Sequence, residues 1–252
     1  MHNGYFAFQR FVSYKYKYKH ANPGYNHIID VRTRPNRSGM DEHETLPHGW
    51  EFLFTTHTMV RLREFERRAR HLTLCPRLSM IFRPLYELHP ARVQVVIVGQ
   101  EPYPRQDQAS GYAFSIENHV PMTASLKVIF REIQSEYPSF QIPPTGNLQR
   151  WVDQGVLLLN ASLTAEVGKY ANVSHHAFWQ PVVMNIIEHL SNKGGVVFML
   201  WGKKSQQLSG WINKSKNLVL ESAHPSPRAG NAFFGCDHFR TANEYLCGSI
   251  RW

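Results

Sequence analysis

Apolar residues fall into two kinds of run along this chain. The first kind is short, continuous and rich in β-branched residues, and it stops abruptly. Val93-Gln94-Val95-Val96-Ile97-Val98 halts at Gly99, and Gly155-Val156-Leu157-Leu158-Leu159 halts at Asn160. Gly195-Val196-Val197-Phe198-Met199-Leu200-Trp201 halts at Gly202, and Leu218-Val219-Leu220 passes through Glu221, Ser222 and Ala223 to His224. Such runs suit strands buried on both faces, as in a parallel sheet covered by helices. The second kind recurs about every 3.6 residues and predicts amphipathic helices. Met59, Val60, Leu62 and Phe65 form one such set, with Arg61, Arg63, Arg67 and Arg68 between them as a solvated face. Leu126, Ile129, Phe130 and Ile133 share a face over 124–137, with Thr123 or Ser125 as cap. Val182, Val183, Ile186, Ile187 and Leu190 mark a helix near 178–191, with Pro181 in its first turn, where proline is tolerated. Shorter helices are expected at 151–153, 203–212 and 236–246. Strands alternating with helices predict an α/β fold of three layers, α/β/α, around a central four-stranded parallel sheet with right-handed crossovers.

Composition changes this picture in one place. The first 40 residues hold seven Lys or Arg against one acid, so 7 − 1 = 6 of the nine net positive charges lie there. Tyr14-Lys15-Tyr16-Lys17-Tyr18-Lys19 alternates aromatic and basic residues. Residues 1–45 therefore read as a basic, poorly ordered extension, or as an arm that holds DNA or carries a targeting signal, ahead of one globular domain over 46–252. The net charge of +9 suggests a polyanion as partner. No apolar run approaches the ~18 residues that cross a bilayer, and no apolar h-region marks a secretory signal. Cys75, Cys236 and Cys247 are scattered and odd in number, without metal spacing, which fits a reduced intracellular compartment rather than a disulfide framework.

In a parallel sheet the carboxyl ends of the strands share one edge, where ligand sites form. That edge would gather Gln100 and Glu101, Asn160, Gly202 with Lys203, and His224. An Asn side chain matches a ring edge that shows C=O beside N–H. A His can stabilise an oxyanion, a Glu can orient or deprotonate a water, and Phe114 offers a stacking face. Together they suit hydrolysis of a bond whose leaving group is a delocalised heterocyclic anion.

The motifs themselves resemble family 1 uracil-DNA glycosylases from about Gly49 to Trp252. Gly99-Gln100-Glu101-Pro102-Tyr103, followed by Gln108-Ala109-Ser110-Gly111-Tyr112-Ala113-Phe114-Ser115, resembles their water-activating loop. Gly155 to Asn160 resembles their uracil-reading strand. Ala223-His224-Pro225-Ser226-Pro227 with Phe233-Phe234-Gly235-Cys236-Asp237-His238-Phe239 resembles their DNA-intercalation loop and the helix beyond. Ser174-His175, Trp179 and Phe198 to Gly202 also fit.

The resemblance implies a DNA-repair enzyme that flips deoxyuridine out of the stack and hydrolyses its N-glycosidic bond. Phe114 would stack on uracil, Asn160 would read its polar edge, Tyr103 would fill the space of a thymine methyl, and backbone N–H groups near Gln100 would contact the base. Glu101 would hold the attacking water, and a neutral His224 would hydrogen-bond the oxygen that gains charge. Ser125, Lys203, Ser226 and Arg228 would grip DNA. It implies no metal or organic cofactor. The implied partners are single- and double-stranded DNA containing uracil, a DNA-mimic inhibitor protein and replication proteins; the implied state is a monomer, inside the cell and in the nucleus, the host nucleus for a viral member.

Departures from the family pattern are specific. Glu101 replaces an Asp, and Pro104 replaces a His. Arg228 stands where the family inserts a Leu wedge, and Lys203 adds a cation to a Gly-Ser loop. Divergence of this sort suits a viral or otherwise fast-evolving member. Glu101 and Pro104 also keep open an alternative, a DNA-binding relative with weakened catalysis that serves as scaffold or replication accessory. A glycosylase for another base fits less well, since Tyr103 and Asn160 restrict the slot to uracil.

Overall fold

A computed structural model describes residues 46–105, 107–168 and 175–252 of the chain. The expectations for residues 1–45 and for Ser174 lie outside the described residues. In chain order the elements are α1 (Thr56–Ala69), β1 (Leu74–Cys75), α2 (Arg83–Glu87), β2 (Val95–Gly99), α3 (Ala124–Glu136), α4 (Gln149–Val152), β3 (Val156–Asn160), β4 (Ala165–Glu166), α5 (His176–Lys193), β5 (Val197–Trp201), α6 (Lys203–Gln206), β6 (Leu218–Ser222) and α7 (His238–Tyr245), with short 3₁₀ turns between some of them.

The four apolar runs form one sheet in the order β3-β2-β5-β6, and every pairing in it is parallel. Three of its strands are buried throughout, as their uninterrupted apolar character requires, whereas β6 at the edge is only half-buried. The register is flush. Val95 pairs with Val156 and Val197, Gly99 with Asn160, and Trp201 with Ser222. β5 ends at Trp201 with its apolar run, before Gly202 turns the chain with φ +92°, whereas β6 ends at Ser222, two residues short of the expected His224. Two aromatic clusters fill the helical layers. Phe65, Phe82, Phe178 and Trp179 join α1, α2 and α5, while Phe130, Trp151, Phe239 and Trp252 join α3, α4 and α7.

Helix phases follow the periodicity with two corrections. In α1 the buried positions are Leu62, Phe65 and Ala69, and Val60 is exposed. Arg61 leaves the solvated face to donate to the Phe178 carbonyl at 3.0 Å. In α5, Pro181 is the sixth residue rather than part of the first turn, because the helix begins at His176. Its missing N–H leaves one carbonyl of the previous turn without its helical donor. The antiparallel pair β1–β4 was not foreseen, since two-residue strands carry no periodicity.

Two acids break the apolar face of α3 for a structural reason. Glu132, fully buried, accepts from the N–H groups of Gly235 at 2.9 Å and Asp237 at 3.3 Å, and Glu136 accepts from Arg240 N–H at 2.5 Å. They cap the start of α7 from another helix, where Asp237 supplies no side-chain cap of its own. Among the described residues this is also the place where acids and a thiol come together, with Cys236 in the same group. Burial pushes the Glu136 carboxyl up to about 7. A carboxyl raised above its unfolded value adds stability below about pH 4.5 and loses it as pH rises through about 7. Glu136→Gln is therefore expected to flatten the fall in Tm between those two values. Parallel wild-type and variant Tm curves across that window would remove Glu136 as the cause.

Candidate active site

The flush register places Gly99 beside Asn160, and the pairing continues past both strand ends. Ala161 N–H donates to the Gly99 carbonyl at 2.8 Å, and Ser162 N–H donates to the Gln100 carbonyl at 3.0 Å. The following loop is held at its far side too, where Gly168 N–H donates to the buried Pro104 carbonyl at 2.7 Å. Gln100 and Glu101, both half-buried, thus leave the sheet along a fixed path next to Asn160.

Gly99 is glycine because of what crowds above it. A Cβ there would lie 2.6 Å from Asn160 Oδ1, 3.2 Å from Ala113 Cβ and 3.3 Å from Phe114 Cε2. Bare main chain is what allows the Asn160 amide and the Phe114 ring to meet over the end of β2. Asn160 is itself buried.

Phe114 holds its ring there with an unusual backbone. Its φ is +62°, and Ser115 N–H donates to the Ala113 carbonyl at 2.8 Å, closing a γ-turn of the rare, strained hand around it. Such strain persists only when the surroundings over-determine it. Ala113 N–H is pinned to the Leu158 carbonyl of β3 at 3.2 Å. The Tyr103 hydroxyl donates to the Phe114 carbonyl at 3.0 Å and shares a second hydrogen bond with Thr123 Oγ1 at 2.8 Å. Burial pushes the Tyr103 phenol well up, so it remains a donor. Thr123 also caps α3 by accepting from Leu126 N–H at 3.3 Å, which fixes that helix to the same loop.

The far side of the ring is lined by the next two strands. Phe114 lies 5.3 Å from the Trp201 ring at the end of β5 and 5.6 Å from the His224 ring, centre to centre. Burial lowers the His224 pKa, which favours the neutral imidazole. Gly202 permits its approach, since a Cβ at that position would sit 3.1 Å from His224 Cβ. Trp201 is fixed in turn. Its indole N–H donates to His238 Nδ1 at 2.9 Å, and burial holds His238 down at about 4, as a neutral acceptor.

The residues expected to contact DNA follow closely in the chain on residues that form or support this slot. Ser125 is the second residue of α3, two beyond Thr123. Lys203 opens α6, exposed, and α6 is tied to the sheet edge by Ser205 Oγ donating to the Val98 carbonyl at 2.9 Å. Ser226 N–H donates to the His224 carbonyl at 2.7 Å, and exposed Arg228 follows in a 3₁₀ turn, Pro227–Ala229. Asn160, Phe114, Tyr103 and His224 are brought together directly, and Gln100 and Glu101 reach the same edge through the chain. Thr123, Trp201 and His238 support the slot without having been singled out as its residues. Trp201 and His238 lie within the family-like motifs, and Thr123 is the side chain that caps α3. An aromatic plate, an amide, a neutral imidazole and a carboxylate on one sheet edge can bind a flat polar ring, match its hydrogen-bonding edge, and activate water beside it.

The family model described as Uracil DNA glycosylase superfamily matches residues 86–247. Among curated proteins, the uracil-DNA glycosylase of Dichelobacter nodosus is 43% identical over 197 residues, covering 77% of this chain and 85% of that protein. That of Phocaeicola vulgatus is 42% identical, covering 74% of this chain and 86% of that protein. Among solved structures, mimivirus uracil-DNA glycosylase superposes with a TM-score of 0.71 at 24% identity, covering 81% of this chain and 84% of that one. A mimivirus UNG variant in complex with UGI gives 0.73 at 23% identity, covering 80% and 85%.

Proposed function

The chain belongs to the uracil-DNA glycosylase superfamily, and from that premise we propose that its slot takes deoxyuridine flipped out of DNA and hydrolyses the N-glycosidic bond. The products are free uracil and an abasic site. The observation that carries this reading is the meeting of Asn160 and Phe114 over the bare backbone of Gly99, with His224 beside the Phe114 ring.

Phe114 stacks on the base, and Asn160 reads its edge with one donor and one acceptor. Tyr103 fills the volume that a thymine methyl needs. As the bond from C1′ to the base breaks, its electron pair leaves with uracil, which becomes a delocalised anion. His224, neutral, donates a hydrogen bond to the uracil oxygen that gains charge. Water adds through oxygen to C1′ and gives its proton to Glu101, from which it passes through solvent to the uracil anion and restores the carboxylate. No step needs a metal or an organic cofactor.

The decisive assay is release of free uracil from a single-stranded oligonucleotide with one deoxyuridine. Intact DNA binding without release, at high enzyme, would instead support a scaffold. The relatives at about 42% identity are uracil-DNA glycosylases, so the weakened scaffold is not favoured.

Ser125, Lys203 and Ser226 are proposed to hold phosphates, which makes affinity fall with salt. Arg228, exposed in its turn, fills the space left by the flipped base. Arg228→Ala is therefore expected to slow release from duplex several-fold more than from single strands, where no stack needs filling. Equal losses on both substrates would reduce Arg228 to a phosphate contact. A DNA-mimic inhibitor protein is proposed for the same groove, supported by the mimivirus variants solved with UGI. We extend the reading to a monomer over 46–252 with a basic arm at 1–45, working with replication proteins in the nucleus, the host nucleus for a viral member; the charge of the arm supports this.

A further inference from the structure

Arg83 stands in an apolar run, Met80-Ile81-Phe82-Arg83-Pro84-Leu85, and opens α2. It is 6% exposed, which an arginine tolerates only when its charge and donors are matched. Glu87 of the same helix lies 3.6 Å from its Nε, and its other partners are Gln149 and the segment 110–117. Nη1 donates to the Ser110 carbonyl at 3.0 Å and to Glu117 Oε1 at 2.7 Å, and Cζ lies 4.4 Å over the Tyr112 ring. Nη2 donates to Gln149 Oε1 at 3.3 Å, an oxygen that also accepts from the Tyr112 hydroxyl at 3.2 Å. A single guanidinium therefore grips positions 110, 112 and 117, on both sides of Phe114.

The segment it grips is the one under strain. Phe114 stays at φ +62° while its neighbours are held from outside, and uncharged ties share that task. Ser110 Oγ donates to the Ser115 carbonyl at 3.1 Å, Leu148 N–H donates to Ser115 Oγ at 3.0 Å, and Gly111 passes so close to the 3₁₀ turn before α2 that a Cβ would meet the Met80 carbonyl at 2.4 Å. Arg83 is the charged member of this set. Without it, Glu117 and the Ser110 carbonyl lose their shared donor, and Phe114 can relax to negative φ and swing its ring off the slot.

We infer that Arg83 is a positioning residue for base stacking: it touches no substrate and acts through the ring of Phe114. The inference rests on the glycosylase reading above. It assigns a role in the reaction to a side chain remote from the sheet edge, through the fork geometry that arginine has and lysine lacks.

A double-variant cycle tests it, using full-length Arg83→Met, Phe114→Ala and the combination. Three readouts are taken on each: kcat/KM on a single-stranded deoxyuridine oligonucleotide, inhibition by free uracil, and affinity for the same strand without uracil. Arg83→Met is expected to lower kcat/KM by about 10²-fold, the scale of an ångström-level misplacement. It should weaken inhibition by uracil about tenfold, as lost stacking on one base would. Affinity for the uracil-free strand stays within about twofold, because no phosphate contact is touched. The combined variant should lose no more than Phe114→Ala alone, and Arg83→Lys should recover part of the loss. Losses that multiply in the combination, or unchanged uracil inhibition in a folded Arg83→Met, would overturn the inference. If Arg83→Met does not fold, Arg83→Lys and Glu117→Gln carry the same cycle. A wild-type chain that releases no uracil would overturn the reading of the site, and this inference with it; release with multiplying losses overturns this inference alone.

Discussion

Asn160→Asp is expected to lower kcat/KM on deoxyuridine by about 10²–10³-fold, the scale of removing one preorganised donor from a buried site. It should also narrow the gap between uracil and cytosine. The reason is the inventory of the side chain. An amide offers a donor to the uracil carbonyl and an acceptor to its N–H, whereas a carboxylate offers acceptors alone. In a buried position such as this one, lone pairs facing lone pairs are not relieved by water. The exocyclic amine of cytosine would now find an acceptor. Single-turnover rates on matched oligonucleotides with deoxyuridine or deoxycytidine measure both effects. An unchanged preference would remove Asn160 from its assigned role, whatever happened to the rate.

The second large effect is expected at Glu101. Glu101→Gln keeps the length of the side chain but cannot take a proton from water, and kcat should fall by about 10²–10⁴-fold. Glu101→Asp should keep or raise the rate, since it restores the carboxylate reach of the family pattern. Single-turnover rates for the two variants separate charge from length. Should Glu101→Asp be inactive, the loop that leaves β2 would have been rebuilt around the longer side chain. Its anchoring at both ends, to Ser162 and to Gly168, gives a physical means for that.

The sheet was legible in the sequence because strands buried on both faces have no polar alternation to dilute them. The end of β6 is less legible, since its pairing runs past the last apolar residue, Leu220, through Glu221 and stops at Ser222, short of His224. Pro181 was misplaced by a few residues, since α5 starts at His176, ahead of its apolar face. The slot residues were named from their motifs and lie at one edge. What the motifs could not convey is why the parts stay in place. The φ of Phe114 is a backbone state that its residue type does not announce, and the ties from Tyr103 to its carbonyl and from Trp201 to His238 join residues 11 and 37 positions apart. Arg83 did leave a trace, a lone charge inside an apolar run just before a proline. Its meaning depended on Ser110 and Glu117, which no local pattern connects to it.

The glycine at the end of β2 has a further consequence, for how this protein could change its appetite. A slot floored by main chain cannot be deepened or recoloured by swapping side chains, because any added carbon at Gly99 runs into Asn160 and Phe114. Adaptation toward a bulkier base is confined to the walls, above all to Tyr103. That wall is also a strut, so making room for a methyl group means loosening the plate on which the base must lie.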